Sequence, residues 1–231
     1  MVSIDRETFN YCFDITFANL PDSVESLGYM AFANCYHLVS VRLGEGMKTI
    51  GNYAFEGCSK LVEVINKSSL TLTSGSWDYG YVALRAKEIH TGESKMVNLD
   101  GFIFYTVGGV NYLMGYVGED TVLVLPEGYN GEKYEIHANA FYTKNKITSV
   151  VISDGVTAIG GDSFSYCSSL ESVTIPVSLT KIGGYAFEQS NKFTDIYYAG
   201  SEDDWSAIDV SSYGNENLSS ITIHYNCGAE K

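Results

Sequence analysis

The chain has 231 residues, 45% of them hydrophobic, and a formal net charge of −14. That is enough apolar material for a continuous core, while the charge opposes phosphate backbones and anionic lipid and so argues against nucleic-acid binding. No apolar run reaches the roughly 18 residues of a membrane span, and "MVSIDRETF" (1–9) has neither the basic nor the apolar region of a secretory signal peptide.

In chain order, the first predicted elements are copies of one phrase. "IGNYAFEGCSKL" (50–61) returns as "IGGDSFSYCSSL" (159–170). Its phenylalanine recurs every 23 residues at Phe9, Phe32 and Phe55, and again at Phe141, Phe164 and Phe187. Five residues earlier stand Ile4, Leu27, Ile50, Ile136, Ile159 and Ile182; nine later stand Ala18, Val41, Val64, Val150, Val173 and Ile196. A 23-residue period lies within the leucine-rich-repeat range. "LVSVRL" (38–43) and "LESVTI" (170–175) alternate as short strands do. Each repeat is therefore expected to give one strand, a turn, and an irregular or helical stretch carrying the "AF" pair. A single repeat cannot bury its apolar face, whereas stacked repeats share a column, which explains the duplicated phrase.

Three residues past the anchor stand Cys12, Cys35, Cys58 and Cys167, with Lys144 and Ser190 in the same column. Cysteine is small and a weak donor, so it suits a tight interior corner. Stacked thiols at the strand spacing of about 4.8 Å lie wider than the ~3.8 Å between disulfide Cβ atoms, and free thiols are expected. Cys227 falls outside the column. His37, His90, His137 and His224 are scattered and no CxxC is present, so no metal site is expected.

The period lapses over 67–131. A degenerate repeat with a strand near Glu88 to Thr91 precedes "GFIFYTVGGVNYLMGYVG" (101–118), two strand-like runs about a Gly-Gly turn and a strong hairpin signal. Repeats resume over 132–198. Ser201 followed by Asp204 marks a capped helix start that would bring Trp205 against the stack, and "LSSITIHY" (218–225) supplies a last strand within a cap at 199–231. The domain reading is one solenoid, with repeats at 1–66, a degenerate repeat plus hairpin at 67–131, repeats at 132–198, and the cap; a break into two sub-domains is the alternative. Ile4 already occupies a mid-repeat position, which suggests a fragment of a longer exported protein.

The phrase I-G-x-x-A-F-x-x-C-x-x-L-x-x-V-x-[IL]-P, with "LPDSVESLG" (20–28) and "IPVSLTKIG" (175–183) as linkers, resembles the BspA-type leucine-rich repeats of bacterial surface and secreted proteins. Lys144 and Ser190 depart from it at the cysteine, and Asn66 and Tyr198 at the strand end. The resemblance implies a leucine-rich-repeat solenoid of the right-handed β-α superhelix type. Its short parallel strands, one per 23-residue repeat, would be interrupted by a β-hairpin insertion. It also implies an extracellular or cell-surface location and protein–protein contact, including adhesion to host or neighbouring-cell proteins.

No catalytic constellation is written: Gly108-Gly109 belongs to a turn, no nucleophile elbow is present, and "SEDD" (201–204) lacks EF-hand spacing. The expected protein is no enzyme, needs no cofactor or metal, is a monomer, and binds a protein, with neither nucleic acid nor membrane as partner. Its working surface would be the concave sheet, where residues between core positions point outward. One column is Phe17, Ser40, Glu63, Ser149, Ser172 and Asp195; the next is Asn19, Arg42, Ile65, Val151, Thr174 and Tyr197. The rival reading is a glycan-binding patch of Trp77, Tyr79 and Tyr81 beside the hairpin tyrosines Tyr105, Tyr112 and Tyr116, unless those rings pack the insertion. A passive spacer is the third reading.

Overall fold

Each full repeat winds into one coil of a β-solenoid, and parallel strands join coil to coil. The computed structural model describes residues 2–227, and the chain divides between Met96 and Val97 into two compact units. Unit 1 contains β1 (Val2–Ile4), β2 (Phe17–Asn19), β3 (Val24–Leu27), β4 (Ser40–Leu43), β5 (Thr49–Ile50), β6 (Glu63–Asn66) and β7 (Glu88–His90). One sheet orders β1-β3-β5 and the other β2-β4-β6-β7, all parallel.

Unit 2 contains β8 (Val97–Leu99), β9 (Phe102–Val107), β10 (Val110–Tyr116), β11 (Val122–Val124), β12 (Tyr134–Ile136), β13 (Ser149–Val151), β14 (Val156–Ile159), β15 (Ser172–Ile175), β16 (Lys181–Ile182), β17 (Asp195–Tyr198), β18 (Asp209–Val210) and β19 (Thr222–His224). One sheet orders β18-β16-β14-β12-β10-β9-β8 and the other β11-β13-β15-β17-β19. Strands β9 and β10 pair antiparallel across Gly108 and Gly109, whose φ of 60° and 80° suit a type I′ turn. Strand β8 adds to β9, also antiparallel; nothing in the sequence pattern marks it.

Two expectations are corrected. A coil carries two strands, not one: β3 and β4 share a coil, as do β14 and β15. The extra strands are two to four residues long, and "VESL" (24–27) and "VTAI" (156–159) bury their two ends and half-expose the middle, so they lack the strict alternation that flags a strand. The β-α alternation is also absent, because the "AF" segments are runs of turns. Residues two before and two after the anchor are left-handed: Met30 (φ 53°) and Asn34 (φ 58°) around Phe32, Asp162 (φ 55°) and Tyr166 (φ 58°) around Phe164. Such residues stop helix propagation and aim alternate amides out of the coil. The amides of Met30, Phe32 and Asn34 donate to the carbonyls of Asn52, Ala54 and Glu56 in the next coil, at 3.2, 2.7 and 2.6 Å. Those of Ala31 and Ala33 close turns within their own coil. The turn runs thus satisfy their backbone without a helix.

The same stacking explains the glycine that follows Leu27, Ile50, Ile159 and Ile182. A Cβ on Gly51 would lie 2.6 Å from the Gly28 carbonyl carbon, and one on Gly183 would lie 2.5 Å from the Gly161 nitrogen. Only glycine lets the coils approach there. The anchors stack as rings, with centroids 4.8 Å (Phe9–Phe32), 5.4 Å (Phe32–Phe55), 4.9 Å (Phe141–Phe164) and 5.5 Å (Phe164–Phe187) apart. The cysteine column has a specific partner. Sγ of Cys35, Cys58 and Cys167 each donates at 3.1 Å to the anchor carbonyl of the preceding coil, on Phe9, Phe32 and Phe141. Ser190 makes the same bond to Phe164 at 2.6 Å. All five cysteines are free thiols. Burial pushes the Cys167 thiol up to about 12 and the Cys58 thiol well above its ordinary value.

The segment after β17 closes unit 2. Ser201 Oγ accepts from the Asp204 amide at 3.2 Å and the Ser201 amide donates to Asp204 Oδ2 at 2.9 Å, a capping box that starts α1 (Glu202–Ser206). This is the one α-helix among the described residues. It sets Trp205 edge-on to Tyr198 at 5.3 Å.

Candidate functional site

Parallel pairing keeps equivalent residues in line, so the nominated side chains fall into two groups. In unit 1 the register lines are Phe17, Ser40, Glu63, Glu88 and Asn19, Arg42, Ile65, His90. In unit 2 they are Val122, Ser149, Ser172, Asp195, Thr222 and Val124, Val151, Thr174, Tyr197, His224. The last three strands of each face therefore carry the same trio. Ser40, Glu63 and His90 hold in unit 1 the places that Ser172, Asp195 and His224 hold in unit 2.

The unit 1 face is not the open surface the alternation suggests. Ser40, Glu63 and Ile65 are buried, and the segment 91–96 crosses Glu63, bonding it through Ser94 and Lys95. Glu63 accepts from Ser40 Oγ (2.5 Å) and Ser94 Oγ (2.7 Å) on one oxygen, and from the Lys95 amide (2.7 Å) on the other, which also meets His90 Nε2 at 3.2 Å. Four partners fill the acceptor sites of a carboxylate, which is what makes its complete burial tolerable. Lys95 Nζ adds a bond to Glu88 at 2.8 Å. Arg42 is committed internally, to the Leu20 carbonyl at 2.9 Å and Asp22 at 2.8 Å; its hydrogen bond holds the Asp22 carboxyl below the ordinary aspartate value. Phe17, on β2 at the edge of the sheet, stays exposed.

The unit 2 face is open. Val122 and Val124 are 57% and 62% exposed and Tyr197 is 38% exposed, with Ser149, Ser172, Val151 and Thr174 half-buried among them. Asp195 Oδ1 meets His224 Nε2 at 2.8 Å, Thr194 Oγ1 donates to Asp195 Oδ2 at 2.7 Å, and the Tyr197 ring stacks on His224 at 4.7 Å. The hydrogen bond from His224, then that from Thr194, lowers the Asp195 carboxyl from the ordinary 3.8. A shallow recess of about 390 Å³ is lined by Glu171, Ser172, Lys192, Thr194, Asp195 and Tyr197.

The histidines are the residues sequence reasoning missed. "EIH" (88–90) and "TIH" (222–224) each end one strand past an acidic strand start, at spacings of 27 and 29 residues from Glu63 and Asp195, a signal visible only once the strands are paired. The order of contacts differs from a nucleophilic triad, since Ser40 bonds the carboxylate and not the imidazole. Of the aromatic patch, Trp77 is 67% exposed and meets Tyr81 edge-on at 5.1 Å; Tyr81 continues to Tyr53 at 5.3 Å and Tyr53 to Tyr29 at 5.8 Å. Tyr79 is also exposed. Tyr105 and Tyr116 are buried, and Tyr112 lies edge-on to His137 at 5.5 Å, all within unit 2. Among the described residues no group of three or more His, Cys, Asp or Glu could hold a metal, and no helix is long and apolar enough to cross a membrane.

Stacked parallel strands on a 23-residue apolar phrase define a β-solenoid of the leucine-rich-repeat class. The chain belongs to the BspA type leucine rich repeat family, whose model matches in six copies over residues 2–91 and 134–229. Among solved structures, a leucine-rich repeat protein from Bacteroides capillosus ATCC 29799 is 24% identical with a TM-score of 0.47, over 57% of this chain and 99% of that one. A leucine rich cell surface protein from Faecalibacterium prausnitzii A2-165 is 19% identical with a TM-score of 0.32, over 92% and 86%. The pneumococcal vaccine antigen PcpA is 16% identical with a TM-score of 0.42, over 99% and 61%. No curated protein matches the chain.

Proposed function

We infer that the protein is a non-catalytic, cell-surface or secreted interaction module that holds a protein partner on the open sheet face of unit 2. The observation that carries this reading is the pattern on that face. Exposed Val122, Val124 and Tyr197 alternate with hydroxyls and end at a polar recess, the mixture of apolar anchors and polar rim that protein interfaces use. Repeat stacks bind along such extended faces, and membership of a BspA type family supports a surface role in adhesion.

The test is adhesion of beads coated with the chain to host cells and to neighbouring bacterial cells. Saturable adhesion that disappears in Val124→Arg/Tyr197→Ala supports the reading. Adhesion that the double variant retains sinks it, and no saturable adhesion at all favours a spacer. The exposed Trp77 favours a second reading, glycan binding, in which a Trp77→Ala variant loses signal on a glycan array while Val124→Arg does not.

A further inference from the structure

The two units repeat one polar motif and differ in whether it is filled. In unit 1 the Glu63 carboxylate has four partners: two from its own sheet, Ser40 Oγ and His90 Nε2, and two from the crossing segment, Ser94 Oγ and the Lys95 amide. In unit 2 Asp195 occupies the same register position, with His224 one strand further on as His90 is. Among the described residues it has one side-chain partner on each oxygen, His224 on Oδ1 and Thr194 on Oδ2, and its side chain is 33% exposed. A carboxylate offers about four acceptor positions, so one remains on each oxygen. They are the counterparts of the two that Ser94 and Lys95 fill on Glu63.

We propose that the Asp195–His224 end of the unit 2 face docks an extended segment of a protein partner, seated by a serine or threonine hydroxyl and the following backbone N–H on Asp195. The chain's own segment 91–96 shows the chemistry of such an occupant, because it satisfies the equivalent carboxylate with those two donors and buries it completely. Selectivity rests on the hydroxyl rather than on charge. Thr222 stands where Glu88 holds Lys95 Nζ, so the open site has no counterpart for the lysine contact. The recess beside Asp195 and the Tyr197–His224 stack provide room and an apolar wall for the neighbouring residues. This proposal rests on the interaction reading above and names the partner's chemistry.

The experiment titrates a blocked peptide of residues 91–97, Thr-Gly-Glu-Ser-Lys-Met-Val, into the full chain and follows amide shifts by NMR. The expected result is saturable binding, with the largest shifts on β17 and β19. Affinity falls about tenfold or more when the peptide serine is replaced by alanine, the size of one hydrogen bond to a charged group, and by more than that for Asp195→Ala in the protein, which removes both bonds. Shifts confined elsewhere, or binding indifferent to both substitutions, overturn the proposal. So does self-association of the chain through this face, seen by analytical ultracentrifugation and abolished by Asp195→Ala, since the occupant would then be a second copy. No peptide binding, with adhesion still lost in Val124→Arg/Tyr197→Ala, rejects the proposal and keeps the interaction reading. Peptide binding with adhesion unchanged in that double variant rejects the interaction reading instead.

Discussion

Unit 1 and unit 2 place a serine, a carboxylate and a histidine at matching points of a parallel sheet, yet one set is sealed and the other open. Glu63 is inaccessible to solvent and fully partnered; Asp195 is a third exposed and half partnered. The repeat therefore sets where a polar group stands, and the chain between repeats decides whether it is structural or available. In unit 1 the loop leaving β7 returns to Glu63 and seals that carboxylate, a candidate binding residue, into the interior. No equivalent segment covers Asp195 among the described residues.

The comparison breaks most visibly on the carboxylates. Glu63→Ala removes, at a fully buried position, the acceptor shared by three hydrogen-bond donors and an imidazole, and should lower stability by about 3–5 kcal/mol, while Asp195→Ala should leave the urea midpoint close to the parent's. Equal midpoints for both would erase the distinction between sealed and open faces. Next in size is Ser94→Ala, which removes one hydrogen bond to a buried carboxylate, an effect of about 2 kcal/mol. It should speed hydrogen exchange at the Lys95 amide, and an unchanged rate would mean the segment is held by something other than Glu63.

The cysteine column is where the units should agree. Cys58→Ala and Cys167→Ala each remove a thiol donor to an anchor carbonyl, at about 1 kcal/mol apiece plus a small cavity. Cys167→Ser should cost less, because Ser190 already makes that bond one coil on. With its thiol pushed up to about 12, Cys167 should also resist maleimide at neutral pH until the chain unfolds.

The smallest effect concerns acid. The Asp195 carboxyl titrates below its ordinary value in the folded chain. Its contribution to stability is thus present above the unfolded carboxyl value and is lost as pH falls through the lower folded one. Carboxyl-carbon NMR titration should show the Asp195 midpoint moving up towards 3.8 in His224→Ala. A midpoint that stays put would exclude the imidazole as the cause.

Much of the architecture was legible before any coordinates. The 23-residue spacing of Phe9, Phe32 and Phe55, the Ile-Gly phrase and the cysteine column each report a requirement that recurs in most coils: a ring to stack, a glycine where backbones touch, a small donor for the neighbouring carbonyl. The Ser201–Asp204 cap was equally local. The second strand of each coil was not legible, because a run of two to four residues without strict alternation carries no period. Nor was the helix-free turn run, since its left-handed residues include Tyr166 and Met30, which have no special preference for that conformation.

Sequence alone therefore determined the stack, since stacking rests on near-neighbour requirements repeated at one interval. Which face is free was decided only in three dimensions. Covering Glu63 depends on Ser94 and Lys95 reaching it from about 30 residues further along, and a contact made once leaves no periodic trace. Asp195 and Glu63 look alike in the repeat; the path of the chain beyond the repeat made one a buried joint and left the other exposed to solvent.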